Sequence, residues 1–337
     1  MSDTSNSKKV MLSAIAPSNR LTLGNYIGAV SNWLKLQHNY DCIFFAVDLH
    51  AITVRQEPEA LREQSYWAIA LYIAAGLDPN KVTLFVQSHV PQHAELAWIL
   101  NCYTYMGELG RMTQYKDKSA KQDQNIGAGL FTYPTLMASD ILLYNTNLVP
   151  VGEDQKQHIE ITRDVAMRMN NIYGKDLFTI PEVYIPPVGA RIMSLQDPTS
   201  KMSKSDPDPN GSVFLSDTND QIIKKVKRAI TDSGSEITFD DSKPGVKNLL
   251  TIQSALTGKT TAELVASYAG KQYGHLKVET AEIVASVIGP IRDRATELMK
   301  DRGELDKVLK RGAEQASARA QRTLDEVYRR VGFIARR

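Results

Sequence analysis

Two lysines and two serines lie within one short segment of this 337-residue chain, Lys201-Met202-Ser203-Lys204-Ser205. Ammonium groups and hydroxyls donate hydrogen bonds, and the flexible stem of a lysine can bring its charge to a phosphate. A charged run by itself is usually only a solvent-facing surface. If other features of a nucleotide site accompany it, the segment predicts a mobile loop, residues 201–205, that follows a polyphosphate.

A second candidate segment lies near the start of the chain. Residues 10–15 are mostly apolar and predict a buried strand, which is followed by the turn Ala16-Pro17-Ser18 and a helix that opens at Gly24-Asn25. A glycine lets a ligand approach the backbone, and the free N–H groups of a first helical turn favour an anion. Open α/β sheets bind nucleotides at strand-to-helix junctions of this kind.

The same design recurs at residues 148–152, a short predicted strand that ends in Gly152. Glu153, Asp154 and Gln155 then open the next helix. Acids in a first helical turn often only complement the helix dipole. In nucleotide-binding sheets, acids also accept hydrogen bonds from ribose hydroxyls. Both interpretations stay open from the residues alone.

Asp140 is unusual because it interrupts an otherwise apolar helix, predicted over residues 131–144. Carboxylates are rarely buried unless they are paired. Tyr133 lies about two turns earlier and projects from a similar face. Asp140 is therefore either an exposed acid on an amphipathic helix or a buried recognition group.

The polar stretch 111–121 contains Lys118 and is followed by Gly127 and Gly129. It predicts either a solvated surface loop or a mobile loop that brings a lysine to the nucleotide.

The elements that must position these residues alternate between strand and helix. Further buried strands are predicted at 41–48 and 82–86, and helices at 58–76 and 91–106. This β-α-β-α-β order indicates an α/β fold with a doubly wound parallel sheet, a Rossmann-like nucleotide-binding domain.

The second part of the chain lacks strand patterns and predicts helices at 217–231, 245–257, 261–269, 279–300 and 312–331. We expect four parts: a disordered tail at 1–9, the Rossmann-like domain at 10–200, the mobile loop at 201–205 and an all-helical domain at 206–337. The last helix and the residues after it are basic, with Arg319, Arg322, Arg329, Arg330, Arg336 and Arg337. Such a surface suits RNA phosphates. The helix could also pack back on the catalytic domain.

Composition narrows the class of protein. A hydrophobic fraction of 42%, a charged fraction of 23% and a net charge of +2 are typical of a globular protein without a general affinity for nucleic acid. No apolar run approaches the roughly 18 residues of a membrane span, and no secretory signal is visible, so we expect a cytoplasmic protein. Cys42 and Cys102 form no zinc motif, and both are expected to be inert core thiols.

Together these motifs resemble a known family. Pro17-Ser18, Thr22-Leu23-Gly24-Asn25 and the 201–205 segment are similar to the two signatures of class I aminoacyl-tRNA synthetases. Residues 133–140, 152–158 and 189–195 resemble the tryptophanyl-tRNA synthetases of bacteria more narrowly. The resemblance extends from Val10 to about Arg330.

The resemblance implies an ATP-dependent ligase. ATP, with Mg²⁺, would activate L-tryptophan as tryptophanyl-adenylate, and the tryptophanyl group would pass to tRNA(Trp), releasing AMP and diphosphate. No covalent nucleophile and no structural metal held by the protein are expected. The family also implies a homodimer, with catalysis in the domain at 10–200 and its loop at 201–205 and tRNA binding by the helical domain at 206–337.

Residue roles carried over from the family form three groups. The implied catalytic residues are Thr22, Asn25, Lys118, Lys201 and Lys204. The implied ATP-binding residues are Ala16, Pro17, Ser18, Gly24, Asn25, Gly152, Glu153, Asp154, Ile192, Lys201, Met202, Ser203, Lys204 and Ser205. For tryptophan, Asp140 would accept the indole N–H and Tyr133 and Gln155 would bind the α-ammonium, within a wall of Leu12, His50, Met137, Val149 and Val151.

Three positions depart from the family pattern. Ala16 stands where glutamine is usual, Asn19 stands where glycine is usual, and Thr22 replaces the first histidine of the class signature. Ala16 can offer only backbone atoms, whereas Asn19 tolerates the left-handed conformation of a turn. Two other functions stay open: a tyrosyl-tRNA synthetase, and a catalytically silent paralogue that binds RNA.

Overall fold

A five-stranded parallel sheet forms the centre of the molecule in the computed structural model, which describes residues 8–17, 21–120, 126–152, 155–184, 191–204 and 206–334. The strands are β1 Val10–Ile15, β2 Asp41–Ala46, β3 Thr83–Val86, β4 Leu148–Pro150 and β5 Glu182–Tyr184, in the order β3-β2-β1-β4-β5. The predicted doubly wound parallel sheet is confirmed. Strand β5 was not predicted, because it is short and not strongly apolar.

The order of the strands determines where a crevice for a ligand forms. β1 pairs with β2 in the register of Val10 opposite Asp41, and its other edge pairs with β4 through Met11 and Leu148. The connections run in opposite directions on either side of β1. In open parallel sheets, ligands bind at the carboxyl ends of the strands where the order reverses. The expected site therefore lies beyond the ends of β1 and β4.

The helices of the first part cover both faces of the sheet. They are α1 Leu23–Asn25, α2 Ser31–Leu36, α3 Asp48–Ala51, α4 Pro58–Ala75, α5 Gln92–Asn101, α6 Met106–Gly110, α7 Thr113–Ser119, α8 Ala128–Leu142 and α9 Lys156–Tyr173. A π-helical segment, Tyr26–Val30, joins α1 to α2. Helix α4 ends at Gly76, whose φ of +115° is in the left-handed region that glycine tolerates.

Two predictions for this part were wrong. The helix expected at 91–106 ends at Asn101, and a new helix, α6, begins at Met106, where Glu108 accepts a hydrogen bond from the backbone N–H of Tyr105 at 2.9 Å. The polar stretch 111–121 was expected to be a loop, but α7 occupies residues 113–119. Only Gln114, Lys116 and Lys118 in it are good helix formers, and hydrophobic periodicity does not reveal a helix of this length.

The second part is helical, as predicted. Its helices are α10 Asn219–Lys227, α11 Pro244–Thr257, α12 Thr261–Ser267, α13 Tyr273–Lys300 and α14 Arg302–Val331. The last two are longer than predicted and meet at Asp301, which accepts a hydrogen bond from Glu304 N and caps α14. Within the described ranges, no helix combines the length and hydrophobicity needed to cross a membrane.

Two apolar cores lie on opposite faces of the sheet. One extends from Met11 and Phe44 through α4 into helices α10–α13. The other joins Leu12 and Phe45 to α5, α8, α9 and the second half of α14. Helix α14 crosses β3 so closely that a Cβ on Gly312 would lie 1.9 Å from the carbonyl oxygen of Leu84. The helical part is therefore packed directly on the sheet.

The two cysteines have different surroundings. Cys42 is buried in β2, and burial, with the neighbouring charge of Asp41, raises the pKa of its thiol to about 12. Cys102 is exposed at the end of α5. The expectation of a core thiol was therefore correct for Cys42 and wrong for Cys102.

Candidate active site

The helix that follows β1 is fixed at its first residues by a reciprocal cap. The backbone N–H of Asn25 donates to Thr22 Oγ1 at 3.2 Å, and the backbone N–H of Thr22 donates to Asn25 Oδ1 at 3.0 Å. This capping box satisfies donors that a helix start leaves free. It uses the oxygen of the Asn25 amide, so the Nδ2 group is the part of that side chain available to a ligand.

The two signature segments meet at Gly24. A Cβ built on Gly24 would lie 3.6 Å from Ile192 Cβ and 3.7 Å from Met202 Cβ. Ile192 and Met202 are buried. The structure therefore brings together one residue of the first junction and two of the predicted ATP-binding residues from the later segment.

Residues 192–202 form a small antiparallel hairpin. Met202 N donates to Ile192 O at 3.0 Å and Ser194 N donates to Ser200 O at 2.8 Å, so Met193 and Lys201 stand opposite each other. The side chain of Lys201 is exposed. Burial lowers the pKa of Lys204 from its ordinary value. A partly desolvated ammonium gains most from an anion that pairs with it.

The chain after this hairpin returns to the first helix. Leu23 N donates to Val213 O at 2.8 Å and Leu215 N donates to Leu21 O at 2.8 Å, which brackets an antiparallel bridge between Thr22 and Phe214. The start of α1 is therefore held on one side by its own cap and on the other by residues 213–215.

Asp140 is buried in α8, with 3% of its surface exposed, and is surrounded by hydrogen-bond donors. Its Oδ1 atom lies 2.7 Å from Gln87 Nε2 and 2.6 Å from His93 Nδ1, and its Oδ2 atom lies 2.8 Å from His50 Nε2. Burial raises the pKa of Asp140, but the charges and hydrogen bonds of His50 and His93 outweigh burial and hold that pKa below its ordinary value.

An ionised carboxylate accepts about four hydrogen bonds, two at each oxygen. In the described part of the chain, Oδ1 of Asp140 accepts two and Oδ2 accepts one, from His50. One acceptor position on Oδ2 is left for a ligand donor. The exposed-acid interpretation of Asp140 is therefore wrong, and the buried-recognition interpretation fits the geometry.

The apolar residues predicted to wall the tryptophan ring share one core. Leu12 and Val149 are buried in it, and Met137 and Val151 are partly buried against it. Met137 precedes Asp140 by three residues on α8, so the two side chains lie on neighbouring positions of one helix face. The carboxylate thus stands beside an apolar wall.

Tyr133 lies on the same helix, and its hydroxyl is 2.7 Å from His158 Nε2 of α9. Burial raises the pKa of Tyr133 to about 12, so the phenol stays neutral and can donate or accept. Gln155 precedes α9, with its backbone N–H donating to Gly152 O at 3.0 Å.

The remaining predicted site residues take no part in the contacts described above. Ala16 is exposed and Pro17 is buried directly after β1. Ser18, Glu153, Asp154 and Ser205 lie outside the described residues, as does the side chain of Lys118 in α7. Their roles stay predictions.

Three polar residues of the site were missed from the sequence. Gln87 directly follows β3. A search for polar residues at the carboxyl end of every predicted strand would have found it. His93 bridges Asp140 and the hydroxyl of Tyr144, which lies 2.7 Å from its Nε2 atom. Asn248 binds the backbone of Met193. Nothing in the local patterns around His93 or Asn248 distinguishes them from other polar residues on amphipathic helices.

The described residues contain no group of three or more His, Cys, Asp or Glu side chains that could hold a metal ion. For a nucleotide, the site offers space beside a glycine together with lysines and hydroxyls. For a flat side chain that carries a hydrogen-bond donor, it offers a carboxylate beside an apolar wall.

Comparison with known proteins identifies the family of this chain. Residues 4–288 match the family model for class I tRNA synthetases of the tryptophan and tyrosine group. A tryptophan–tRNA ligase of Clostridium perfringens is 52% identical over 329 residues, which cover 98% of this chain and 99% of that protein.

Solved structures of two bacterial tryptophanyl-tRNA synthetases are also similar. The Mycoplasma pneumoniae enzyme has a TM-score of 0.88 at 37% identity, covering 97% of this chain and 98% of that one. The Campylobacter jejuni enzyme, complexed with ADP and tryptophan, has a TM-score of 0.83 at 34% identity, covering 96% and 100%. The family model and the Clostridium relative both extend over most of the sequence, so this chain belongs to the tryptophan–tRNA ligases of class I.

Proposed function

We propose that this ligase works in two steps, first forming tryptophanyl-adenylate and diphosphate from L-tryptophan and ATP, then transferring the tryptophanyl group to tRNA(Trp) with release of AMP. The observation that carries the proposal is the meeting of Gly24 with Ile192 and Met202. It brings the lysine-bearing hairpin to the helix start beyond β1. The tryptophan carboxylate attacks the α-phosphate of ATP directly, so no side chain has to form a covalent bond.

ATP occupies the crevice beyond β1 and β4. Gly24 leaves room for the adenosine, Asn25 donates from Nδ2, and Ile192 contacts the adenine. Lys201 and Lys204 stabilise the charge that develops on the leaving diphosphate, a form of electrostatic catalysis by prepositioned groups. The nearby capping box and hairpin hydrogen bonds support this assignment, because they hold the participating backbone in place before the substrate arrives.

The remaining nucleotide contacts follow from the family resemblance. They are Ala16, Pro17, Ser18, Gly152, Glu153, Asp154, Met202, Ser203 and Ser205, with Thr22 and Lys118 as further catalytic residues. Mg²⁺ enters with ATP and neutralises part of the phosphate charge.

Tryptophan is recognised at both ends. Asp140 Oδ2 accepts the indole N–H while Tyr133 and Gln155 bind the α-ammonium. The low pKa of Asp140 supports this role, because only the ionised carboxylate is an acceptor at both oxygens. The ring lies against Leu12, His50, Met137, Val149 and Val151.

A homodimer is supported by exposed apolar side chains in the last turn of α5 and at the start of α6. Trp98, Tyr105 and Met106 are 71%, 61% and 72% exposed, and Cys102 lies between them in sequence. Large apolar side chains grouped on a surface mark interaction sites. Sedimentation of the protein and of Trp98→Glu tests this, since the variant should shift to monomer.

Transfer to tRNA involves the helical part, residues 206–337, as a separate domain. Charging of tRNA serves translation, so we propose a cytoplasmic location.

Tryptophan-dependent exchange of pyrophosphate into ATP tests the first step, with tyrosine as the control amino acid. Exchange with tryptophan alone, followed by charging of tRNA(Trp), supports the proposal. Exchange with tyrosine would indicate the tyrosine enzyme instead. Absence of exchange with either amino acid would indicate the silent RNA-binding paralogue.

A further inference from the structure

Asn248 of α11 holds the backbone of a single residue in the nucleotide hairpin. Its Nδ2 group donates to Met193 O at 3.0 Å, and its Oδ1 atom accepts from Met193 N at 2.9 Å. The side chain is 4% exposed. Asn248 thus uses its donor and its acceptor together on one residue, as a neighbouring β-strand would.

The backbone N–H and C=O groups of Met193 need a hydrogen-bond partner outside the hairpin. Its own hydrogen bonds join Ile192 to Met202 and Ser194 to Ser200, so Met193 and Lys201 form a pair without hydrogen bonds between them. In an antiparallel ladder, the N–H and C=O groups of such a pair point away from the partner strand. The outward groups of Met193 are the ones that Asn248 binds.

The position of the hairpin is therefore set from two sides. On one side, Ile192 and Met202 lie against Gly24 at the start of α1. On the other side, Asn248 connects Met193 to α11, which packs on α13 within the helical part. Lys201 stands directly opposite Met193, so the Asn248 contact also determines where this lysine lies.

We infer that Asn248 is a positioning residue for ATP: it ties the hairpin that carries Lys201 to helix α11 and fixes the distance of that hairpin from Gly24. The inference rests on the proposed function of the hairpin. Asparagine suits the task because leucine of similar size offers neither hydrogen bond, aspartate offers only the acceptor, and glutamine is longer by one methylene.

Asn248→Leu and Asn248→Asp test this inference in pyrophosphate exchange. We expect kcat/KM for ATP to fall by about a hundredfold in Asn248→Leu, the order of loss seen when reacting groups are displaced by about 1 Å. Asn248→Asp keeps the acceptor but places a second carboxylate oxygen against Met193 O, so kcat/KM for ATP should fall in this variant as well. Tryptophan binding without ATP, measured by calorimetry, should stay within about twofold of wild type, because Asp140 and its partners are on α3, α5 and α8 or directly follow β3.

Gln253→Leu is the matched control. Gln253 is a buried amide on the same helix, but its Nε2 group donates to Tyr268 and Thr280, both within the helical part. If Gln253→Leu and Asn248→Leu lower kcat/KM for ATP equally at equal loss of Tm, Asn248 only stabilises α11 and the inference is wrong. If Asn248→Leu does not fold, a wild-type kcat/KM in Asn248→Asp would also overturn the inference.

The wild-type protein separates this inference from the proposed function. No tryptophan-dependent exchange in the wild type would contradict the proposed function itself. Normal exchange in the wild type together with normal kcat/KM for ATP in both Asn248 variants would contradict only the positioning role.

Discussion

Gly24 and Met202 are far apart in the sequence but are neighbours in the fold, since a Cβ atom on Gly24 would lie 3.7 Å from the Cβ atom of Met202. The nearest atom to that Cβ would be Thr22 Oγ1 at 3.5 Å. These are ordinary van der Waals distances. The fold therefore has room for a methyl group at residue 24, and the glycine is not required by packing.

Gly24→Ala accordingly separates folding from ATP binding. We expect an unchanged or slightly higher Tm, because alanine is the better helix former, and a KM for ATP at least about tenfold higher, because the methyl group occupies space proposed for the adenosine. Thermal unfolding and pyrophosphate exchange measure the two effects. A wild-type KM for ATP in this variant would contradict the proposed position of the nucleotide.

The burial of Lys204 leads to a prediction for the pH dependence of kcat/KM for ATP. Burial lowers the pKa of Lys204, so in the free enzyme the ammonium loses its proton at a lower pH than an ordinary lysine does. The ratio kcat/KM reports ionisations of the free enzyme. We expect kcat/KM for ATP to decline on the alkaline side below pH ~10.4, the ordinary lysine value. Arginine stays charged throughout this range, so Lys204→Arg should move the decline to higher pH.

The control for Lys204 is the pH profile of tryptophan binding without ATP, which should not change in Lys204→Arg. An alkaline decline at the same pH in wild type and variant would show that another group titrates.

The arginines of α14 are not equivalent, although the sequence groups them. Arg319 pairs with Asp41 at 2.9 Å, and Arg330 pairs with Asp176 at 2.8 Å and with Glu326. Arg329 also pairs with Glu326. Arg322 is exposed and makes no ion pair with the described residues. Most of the basic surface expected on this helix is therefore neutralised within the chain.

Arg322→Ala should weaken the charging of tRNA and leave adenylate formation unchanged. If Arg322 contacts a phosphate, tRNA binding by the variant should release about one counterion fewer. The slope of the logarithm of the binding constant against the logarithm of the salt concentration should then be smaller by about one. Arg330→Ala is the comparison: it removes a link between α14 and the residues after α9, and should lower Tm instead. Equal effects of both variants on charging, without a change in the salt dependence, would assign α14 a structural role only.

The sequence predicted the fold well because strand and helix alternate with strong apolar runs, as in β2 and α4. It singled out Asp140 because a carboxylate in an apolar helix is unusual, but the local pattern left its burial open, and its role in recognition came from the family resemblance. It could not predict the partners of Asp140 or the backbone contact of Asn248, because these depend on which helices pack together. The approach of Gly312 to Leu84 is of the same kind: it follows from the crossing of α14 over β3 and leaves no local pattern.

Asp140→Asn is the sharpest test of tryptophan recognition. The amide oxygen of asparagine can replace Oδ1 and still accept from Gln87 and His93, which keeps those buried donors paired. The amide nitrogen then takes the place of Oδ2, where it can donate to Nε2 of His50 in the other tautomer of that ring but cannot accept the indole N–H. Asp140→Ala would leave Gln87, His93 and His50 without their common acceptor, at a cost of about 1–3 kcal/mol for each buried group, and would confuse stability with recognition.

We expect Asp140→Asn to fold and to lower kcat/KM for tryptophan about 10- to 100-fold, because hydrogen bonds to charged groups contribute ~1.5–3 kcal/mol. The KM for ATP should change little, and Asp164→Asn, at an exposed acid of α9, should behave as wild type. An analogue with sulfur in place of the indole N–H completes the test. Wild type should prefer tryptophan over this analogue, and Asp140→Asn should lose most of that preference, because the analogue has no donor for the carboxylate. An unchanged preference in the variant would mean that the carboxylate does not read the indole N–H.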